Sequence, residues 1–181
     1  MWTVHGFALV SADDRITDAT GATPDSLRNA ADWAYFQDWL DRVDVTVLGR
    51  IGHQHNPNSR NRRRLVLSTS AAGLEARDDG WWWNPADLAM DAMLAAILPG
   101  GGTVAVPGGQ SVFDLFLPRT NVFHLSRARD VILGAGRTVF SAVGPGRDAD
   151  SVLRKAGLRP GARTDLDPAE NVTLTLYRRP A

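Results

Sequence analysis

The stretch that most constrains this chain is Thr103 to Pro118, Thr-Val-Ala-Val-Pro-Gly-Gly-Gln-Ser-Val-Phe-Asp-Leu-Phe-Leu-Pro. A short run with β-branched Val104 and Val106 meets two glycines, and apolar residues then recur at Val112, Phe113, Leu115, Phe116 and Leu117. The pattern predicts a buried strand, a Gly-Gly turn and a helix, the repeating unit of α/β proteins. Neither glycine has a Cβ, so the backbone can approach a ligand closely. The amides of Gly109, Gln110 and Ser111 would open the helix without intrahelical partners. Such a start favours an anion, most often a phosphate. The same residues would also serve as a plain tight connection, and the stretch alone does not choose between the two.

A chain of 181 residues with 44% hydrophobic content can bury one sizeable core, and no linker separates two. One domain over 1–181 is expected. There is no cysteine, which excludes disulfides and thiolate metal sites. Met1-Trp-Thr-Val-His-Gly lacks the basic start and apolar run of a leader, and no stretch has the length of a membrane span. The expectation is a soluble cytoplasmic protein. Twenty basic and twenty acidic residues balance, so the chain offers no overall field for nucleic acid or an anionic membrane. Locally, Arg60, Arg62, Arg63 and Arg64 have no acid between them, which fits either a solvated turn or a site for an anion.

Along the chain, Val4 to Val10 reads as a buried strand, with His5 a hydrogen-bonded strand histidine, and Ser11 to Gly21 as turn formers. Pro24-Asp-Ser26 gives start signals for a helix to about Arg42. On it Asp32 and Phe36 are one turn apart and could face one pocket, or Asp32 could be an exposed acid near the helix start. Val43 to Arg50 alternates into a strand. His53-Gln-His55 reads as a loop, and two imidazoles supply too few ligands for a metal, so none is expected. Arg62 to Thr69 is a basic turn and a strand. Trp81-Trp-Trp83 cannot face one way in a strand, so one indole should point outward. It is read as packing on the next helix, or as a pocket lip or a contact between copies in a homodimer. Asn84-Pro-Ala-Asp opens a helix to Leu98, strands follow near Val122 to Ser126 and Thr138 to Ser141, and a last hairpin joins Ser151 to Leu158 with Asn171 to Arg178.

Val-Pro-Gly-Gly-Gln-Ser-Val-Phe-Asp-Leu-Phe-Leu-Pro, followed by Val122-Phe-His-Leu-Ser126 and Gly136-Arg-Thr-Val-Phe140, resembles the second half of the dihydrofolate reductase-like superfamily. This group includes dihydrofolate reductases and the reductase domain of the bifunctional riboflavin-biosynthesis deaminase-reductases. The resemblance implies a three-layer α/β fold with a mixed, mostly parallel central sheet, a C-terminal antiparallel hairpin and flanking helices. It implies NADPH as cofactor, with a cis bond between Gly108 and Gly109 beside it and Gln110 and Ser111 along it. Ser11-Ala-Asp-Asp-Arg-Ile16 is similar to the loop that covers the nicotinamide, which brings in Ala8 and Ile16, with Asp14 where the riboflavin branch has glycine.

By the same resemblance, Gly49 ends a strand and Arg50 reaches the 2′-phosphate, with Ser68 and Thr69 hydrogen-bonded to it. Gly52 stands where a threonine is usual. Asp32-Trp-Ala-Tyr-Phe36 looks like the helix that carries a catalytic, substrate-binding carboxylate and a ring-stacking phenylalanine, and Arg62 falls where a substrate carboxylate is held. The implied activity is reduction of a pyrimidine or pterin, most like 5-amino-6-(5-phosphoribosylamino)uracil reductase, with dihydrofolate reductase and a catalytically silent NADPH-binding module as alternatives.

Overall fold

The computed structural model describes residues 1–180. Their organising element is β1 (Trp2–Ser11), which lies between two parallel neighbours, β6 (Gly102–Val106) and β7 (Val122–Ala128). Outward from β6 run β2 (Val45–Gly49), β3 (Arg64–Leu67) and β5 (Gly80–Trp83), all parallel, then the antiparallel edge strand β4 (Leu74–Arg77). Beyond β7 lie β9 (Val172–Arg178) and β8 (Arg159–Asp167), the antiparallel hairpin that closes the nine-stranded order β4-β5-β3-β2-β6-β1-β7-β9-β8.

Period-two alternation assigns the two faces. Val4 and Val10 of β1 join Val45, Val47, Leu65, Val104, Val106, Phe123 and Leu125 on one side. That side is covered by α3 (Met90–Ile97), α4 (Gln110–Phe116) and α5 (Ala149–Lys155), which supply Met93, Leu94, Phe113, Phe116, Val152 and Leu153. Phe7 packs on the other side, where α1 (Ala30–Leu40) brings Tyr35, Phe36, Trp39 and Leu40. The result is an α/β fold in three layers, as the resemblance implied.

Several local expectations are corrected. Asp25–Leu27 is a separate 3-10 turn, and α1 begins at Ala30. Asn29 is the better cap: its side chain accepts from the Asp32 amide at 2.9 Å while its Nδ2 donates to Asp167 and Glu170 beside the hairpin turn. His53 and His55 belong to α2 (Arg50–His55), not a loop. Asn84 opens a turn, bonding the Ala86 and Leu88 amides, and extended Ala89 delays α3 to Met90. Thr138 forms a single bridge with Arg15 rather than a strand. Ser151 to Lys155 is helical, because Ala149, Val152 and Leu153 share one face and Asp148 caps the Ser151 amide; the hairpin arm is instead β8.

Trp82 does face away from Trp81 and Trp83, but it is not outward in solvent: it is buried against Val66 and Ala71, under the Arg77 guanidinium at 4.2 Å.

The loop after β1 is fastened along its length. Asp13 accepts from the Leu133 and Gly134 amides, and the Ile16 amide donates to the Arg137 carbonyl at 2.9 Å. Gly136 has φ +107°, and a Cβ there would lie 2.0 Å from the Thr17 carbonyl oxygen and 2.5 Å from that of Asp18. Both are backbone atoms, so Gly136→Ala is expected to cost about 2 kcal/mol or more, a fall in Tm of roughly 4–8 °C for a chain of this size. Thermal melting checks this, and an unchanged Tm would mean that the loop yields freely.

Candidate functional site

The C-terminal ends of β1, β2, β6 and β7 open into one large cleft of about 1630 Å³ between α1, α2 and the start of α4. Strand ends that diverge around a switch in strand order are the usual ligand position in open α/β sheets. Ala8, Ile16, Asp32, Phe36, Gly49, Arg50, Arg62, Ser68, Thr69, Gly108, Gly109, Gln110 and Ser111 all line it, although they come from widely separated parts of the sequence.

On the β6 side the Gly108–Gly109 peptide bond is cis. Gly108 has φ +105°, and a Cβ there would strike the Phe113 ring at 2.7 Å; the nearest atom to a Cβ on Gly109 is the Ile16 tip at 3.9 Å, across the cleft mouth. Gln110 is turned aside, its Nε2 donating to Thr138 at 3.0 Å. Arg50 follows Gly49 at the end of β2 and starts α2. Its only polar contact among the described residues is Gln54 at 3.5 Å, so its guanidinium has no acid partner there. Ser68 is buried and bonds Ser70, whereas Thr69 is exposed. Arg62 is not a free cation: it shares Asp41 with Arg60 and reaches the Gln37 carbonyl.

On the α1 side stands Asp32. Among the described residues six arginines (Arg28, Arg50, Arg60, Arg62, Arg64 and Arg137) line the cleft, and Asp32 is the only carboxylate that does. Burial pushes its carboxyl above the usual range, while the neighbouring Ser126 hydroxyl pulls the other way. Phe36, one turn on, packs against Phe7 at 5.7 Å and against Trp33, which is 59% exposed at the rim.

The structure adds cleft residues that the sequence reading left unassigned: Tyr35, His124 and Ser126. Tyr35 lay inside the quoted Asp32 to Phe36 segment and the other two inside the quoted β7 segment, but only the fold shows that they meet. His53 is engaged through both nitrogens, with Asp79 at 2.8 Å and Arg64 at 3.3 Å. Among the described residues no three His, Cys, Asp or Glu gather as metal ligands, and no helix is long and apolar enough to cross a membrane.

Sheet order and flanking helices match the dihydrofolate reductase-like fold. No family model and no curated protein sequence matches the chain. Solved structures do. Dihydrofolate reductase from Enterococcus faecalis, complexed with NADP(H) and RAB-propyl, aligns at a TM-score of 0.68 and 17% identity, over 98% of this chain and 96% of that one. A diaminohydroxyphosphoribosylaminopyrimidine deaminase/5-amino-6-(5-phosphoribosylamino)uracil reductase from Thermotoga maritima aligns at 0.67 and 15% identity; the alignment covers 98% of this chain but 56% of that longer one. A riboflavin biosynthesis protein, so described only provisionally, from Shewanella sp. PV-4 aligns at 0.68 and 19% identity over 99% of both chains.

Proposed function

We propose that the chain is an NADPH-dependent reductase acting on a pyrimidine or pterin, most like the 5-amino-6-(5-phosphoribosylamino)uracil reductases of riboflavin biosynthesis. The observation that supports this is the meeting, in one cleft, of a bare Gly-Gly backbone, an arginine without an acid partner and a single half-buried carboxylate. The residues present suit the cofactor: a cradle without Cβ atoms at Gly108 and Gly109, and a fork of donors at Arg50 for a phosphate. When bound, NADPH supplies the hydride.

The chain's own residues do the rest. Arg50, Ser68 and Thr69 hold the 2′-phosphate; Ala8 and Ile16 wall the nicotinamide and keep water out. Asp32 anchors the substrate ring against Phe36 and stabilises the proton-accepting form of the substrate. Arg62, already bound to Asp41, steadies the wall and meets an anionic substrate group as a shared cation. The excess of arginine over carboxylate around the cleft favours a phosphorylated substrate. Dihydrofolate reductase is the second reading, favoured by Asp32 and Phe36 facing the same cleft.

The test is NADPH oxidation measured with dihydrofolate and with the ribosylaminopyrimidine precursor. Turnover with either supports a reductase and tells the substrates apart; tight NADPH binding without turnover identifies a silent binding module. Arg50→Ala is expected to weaken NADPH about 10- to 100-fold, the worth of roughly 1.5–3 kcal/mol for a charged hydrogen bond, and NADH hardly at all. Equal losses for both cofactors would remove Arg50 from the 2′-phosphate.

A further inference from the structure

Beneath the cleft, α1, β1 and β7 contribute a hydrogen-bonded chain that the reading above does not use. Tyr35 Oη lies 2.6 Å from His124 Nδ1, and His124 Nε2 lies 2.9 Å from His5 Nδ1. His124 is 2% exposed, stacked on Phe7 at 4.2 Å with Trp39 against it at 4.9 Å. Burial, with His5 and Arg178 adding to it, drives the His124 pKa down to about 3, and burial and Arg178 lower that of His5. Both rings are therefore neutral near pH 7.

The chain has a direction. Tyr35 follows Asp32 by three residues on α1 and His124 precedes Ser126 by two on β7, so its upper end is beside the carboxylate and hydroxyl of the cleft. Phe7 pairs with His124 and His5 with Val122, which carries the lower end towards the start of β1, away from the cleft. Among the described residues His5 Nε2 has no partner, and Thr46 Oγ1 is the one sealed side-chain polar atom left without one; Nε2 is thus in touch with solvent.

A neutral imidazole carries one N–H, which leaves two self-consistent states. In the first, His5 Nδ1–H donates to His124 Nε2, His124 Nδ1–H donates to Tyr35 Oη, and the tyrosine hydrogen is free for the cleft. In the second, Tyr35 donates to His124 Nδ1, His124 Nε2–H donates to His5 Nδ1, and His5 carries its hydrogen on Nε2. Any mixture requires a doubly protonated or fully deprotonated His124, which its buried position opposes.

We propose that Tyr35, His124 and His5 form a relay that supplies the proton accompanying the hydride, a role that rests on the reductase reading above. From the first state, the Tyr35 O–H bond breaks and its proton goes to the substrate atom that the hydride leaves basic. The His124 Nδ1 proton passes to Tyr35, the His5 Nδ1 proton passes to His124 Nε2, and His5 Nε2 takes one from solvent. Every member ends neutral. Once product leaves, cleft water returns a proton to Tyr35 and the shifts reverse, with release at His5, so solvent is the net source. Tyr35 is the donor; His124 and His5 are positioning residues. The charged groups facing the relay are Asp32 on α1, whose carboxyl burial pushes above the usual range, Arg42 just beyond the end of α1, and Arg178 on β9.

The experiment is single-turnover hydride transfer from NADPH to dihydrofolate and to the ribosylaminopyrimidine, at about pH 6 and about pH 8, for the wild type, Tyr35→Phe and His5→Gln. Tyr35→Phe keeps the ring and its packing; it should react about 100-fold more slowly, and the gap to wild type should widen at the higher pH, where bulk water is a poorer substitute. His5→Gln can still bond His124 but cannot pass a proton through itself, and should lose about 10-fold with the same pH trend. NADPH affinity should be unchanged in both. An active wild type matched by Tyr35→Phe, or a deficit that is the same at both pH values, overturns the relay and leaves the reductase standing. A wild type inactive with both substrates overturns the reductase reading and the relay with it. If Tyr35→Phe does not fold, His5→Gln decides alone by the same criteria.

Discussion

Asp32→Asn is expected to lower turnover by about 10²- to 10⁴-fold while leaving NADPH affinity within about twofold. Asparagine fills the same space and can still meet the Ser126 hydroxyl, so only the charge and the exchangeable proton are lost. The same substitution should raise stability at high pH. Burial raises the folded-state pKa of Asp32 above its unfolded value. The stability tied to this group is then complete below the unfolded pKa and is lost as pH rises through the folded one. Melting curves should therefore show Asp32→Asn above wild type at about pH 8 and close to it near pH 4. Slower chemistry combined with a firmer fold is the signature of a carboxylate retained for function. Unaltered turnover would make Asp32 an ordinary half-buried acid.

The second large effect belongs to Asp14, which stands where the riboflavin branch has glycine. It is 5% exposed and has φ 61°, the left-handed region that a glycine would otherwise provide. Its carboxylate takes the Arg127 guanidinium on one oxygen and the Ala149 amide, at 2.8 Å, on the other; Arg127 also reaches Asp150 at 2.8 Å. One side chain thus ties the loop after β1 to β7 and to the first turn of α5. Asp14→Ala takes from Arg127, a largely buried cation, one of its two carboxylate partners and puts alanine at a left-handed φ, with an expected loss of about 2–4 kcal/mol, or a Tm lower by on the order of 10 °C. Asp14→Gly separates the two contributions, since it relieves the backbone but not Arg127. A glycine variant more stable than wild type by the full relief of the left-handed backbone, about 1 kcal/mol, would show that the ion pair contributes nothing.

The sequence announced the fold where the local pattern and the tertiary environment agreed. The Thr103 to Pro118 stretch became β6, the Gly-Gly link and α4 as read, and the strict alternation from Asn171 became β9. It misled where two signals competed. Pro24-Asp-Ser26 looks like a helix start, but Asn29, held by Asp167 and Glu170, caps α1 instead. Ser151 to Leu158 reads as a hairpin arm because the apolar spacing in that short span fits either period, yet Ala149–Lys155 is helical.

The positions assigned to the cleft came from motif resemblance and all line it. Tyr35 and His124 lie 89 residues apart and His5 and His124 lie 119 apart, so their contacts depend on strand register, which no local pattern carries. Asp14 shows the reverse case: the sequence displays its departure from the expected glycine, and only its buried partners explain it.

The outermost strand β8 has a consequence of its own. Arg159 to Arg163 face water along the free border of the sheet, with Pro160 and Gly161 among them, and the pairing with β9 slips twice. A proline offers no amide, glycine weakens extended backbone, the slips bend the strand, and paired cations repel a like neighbour. Growth of the sheet is thereby capped at this border, and the polypeptide is guarded against stacking side by side with copies of itself into fibrils.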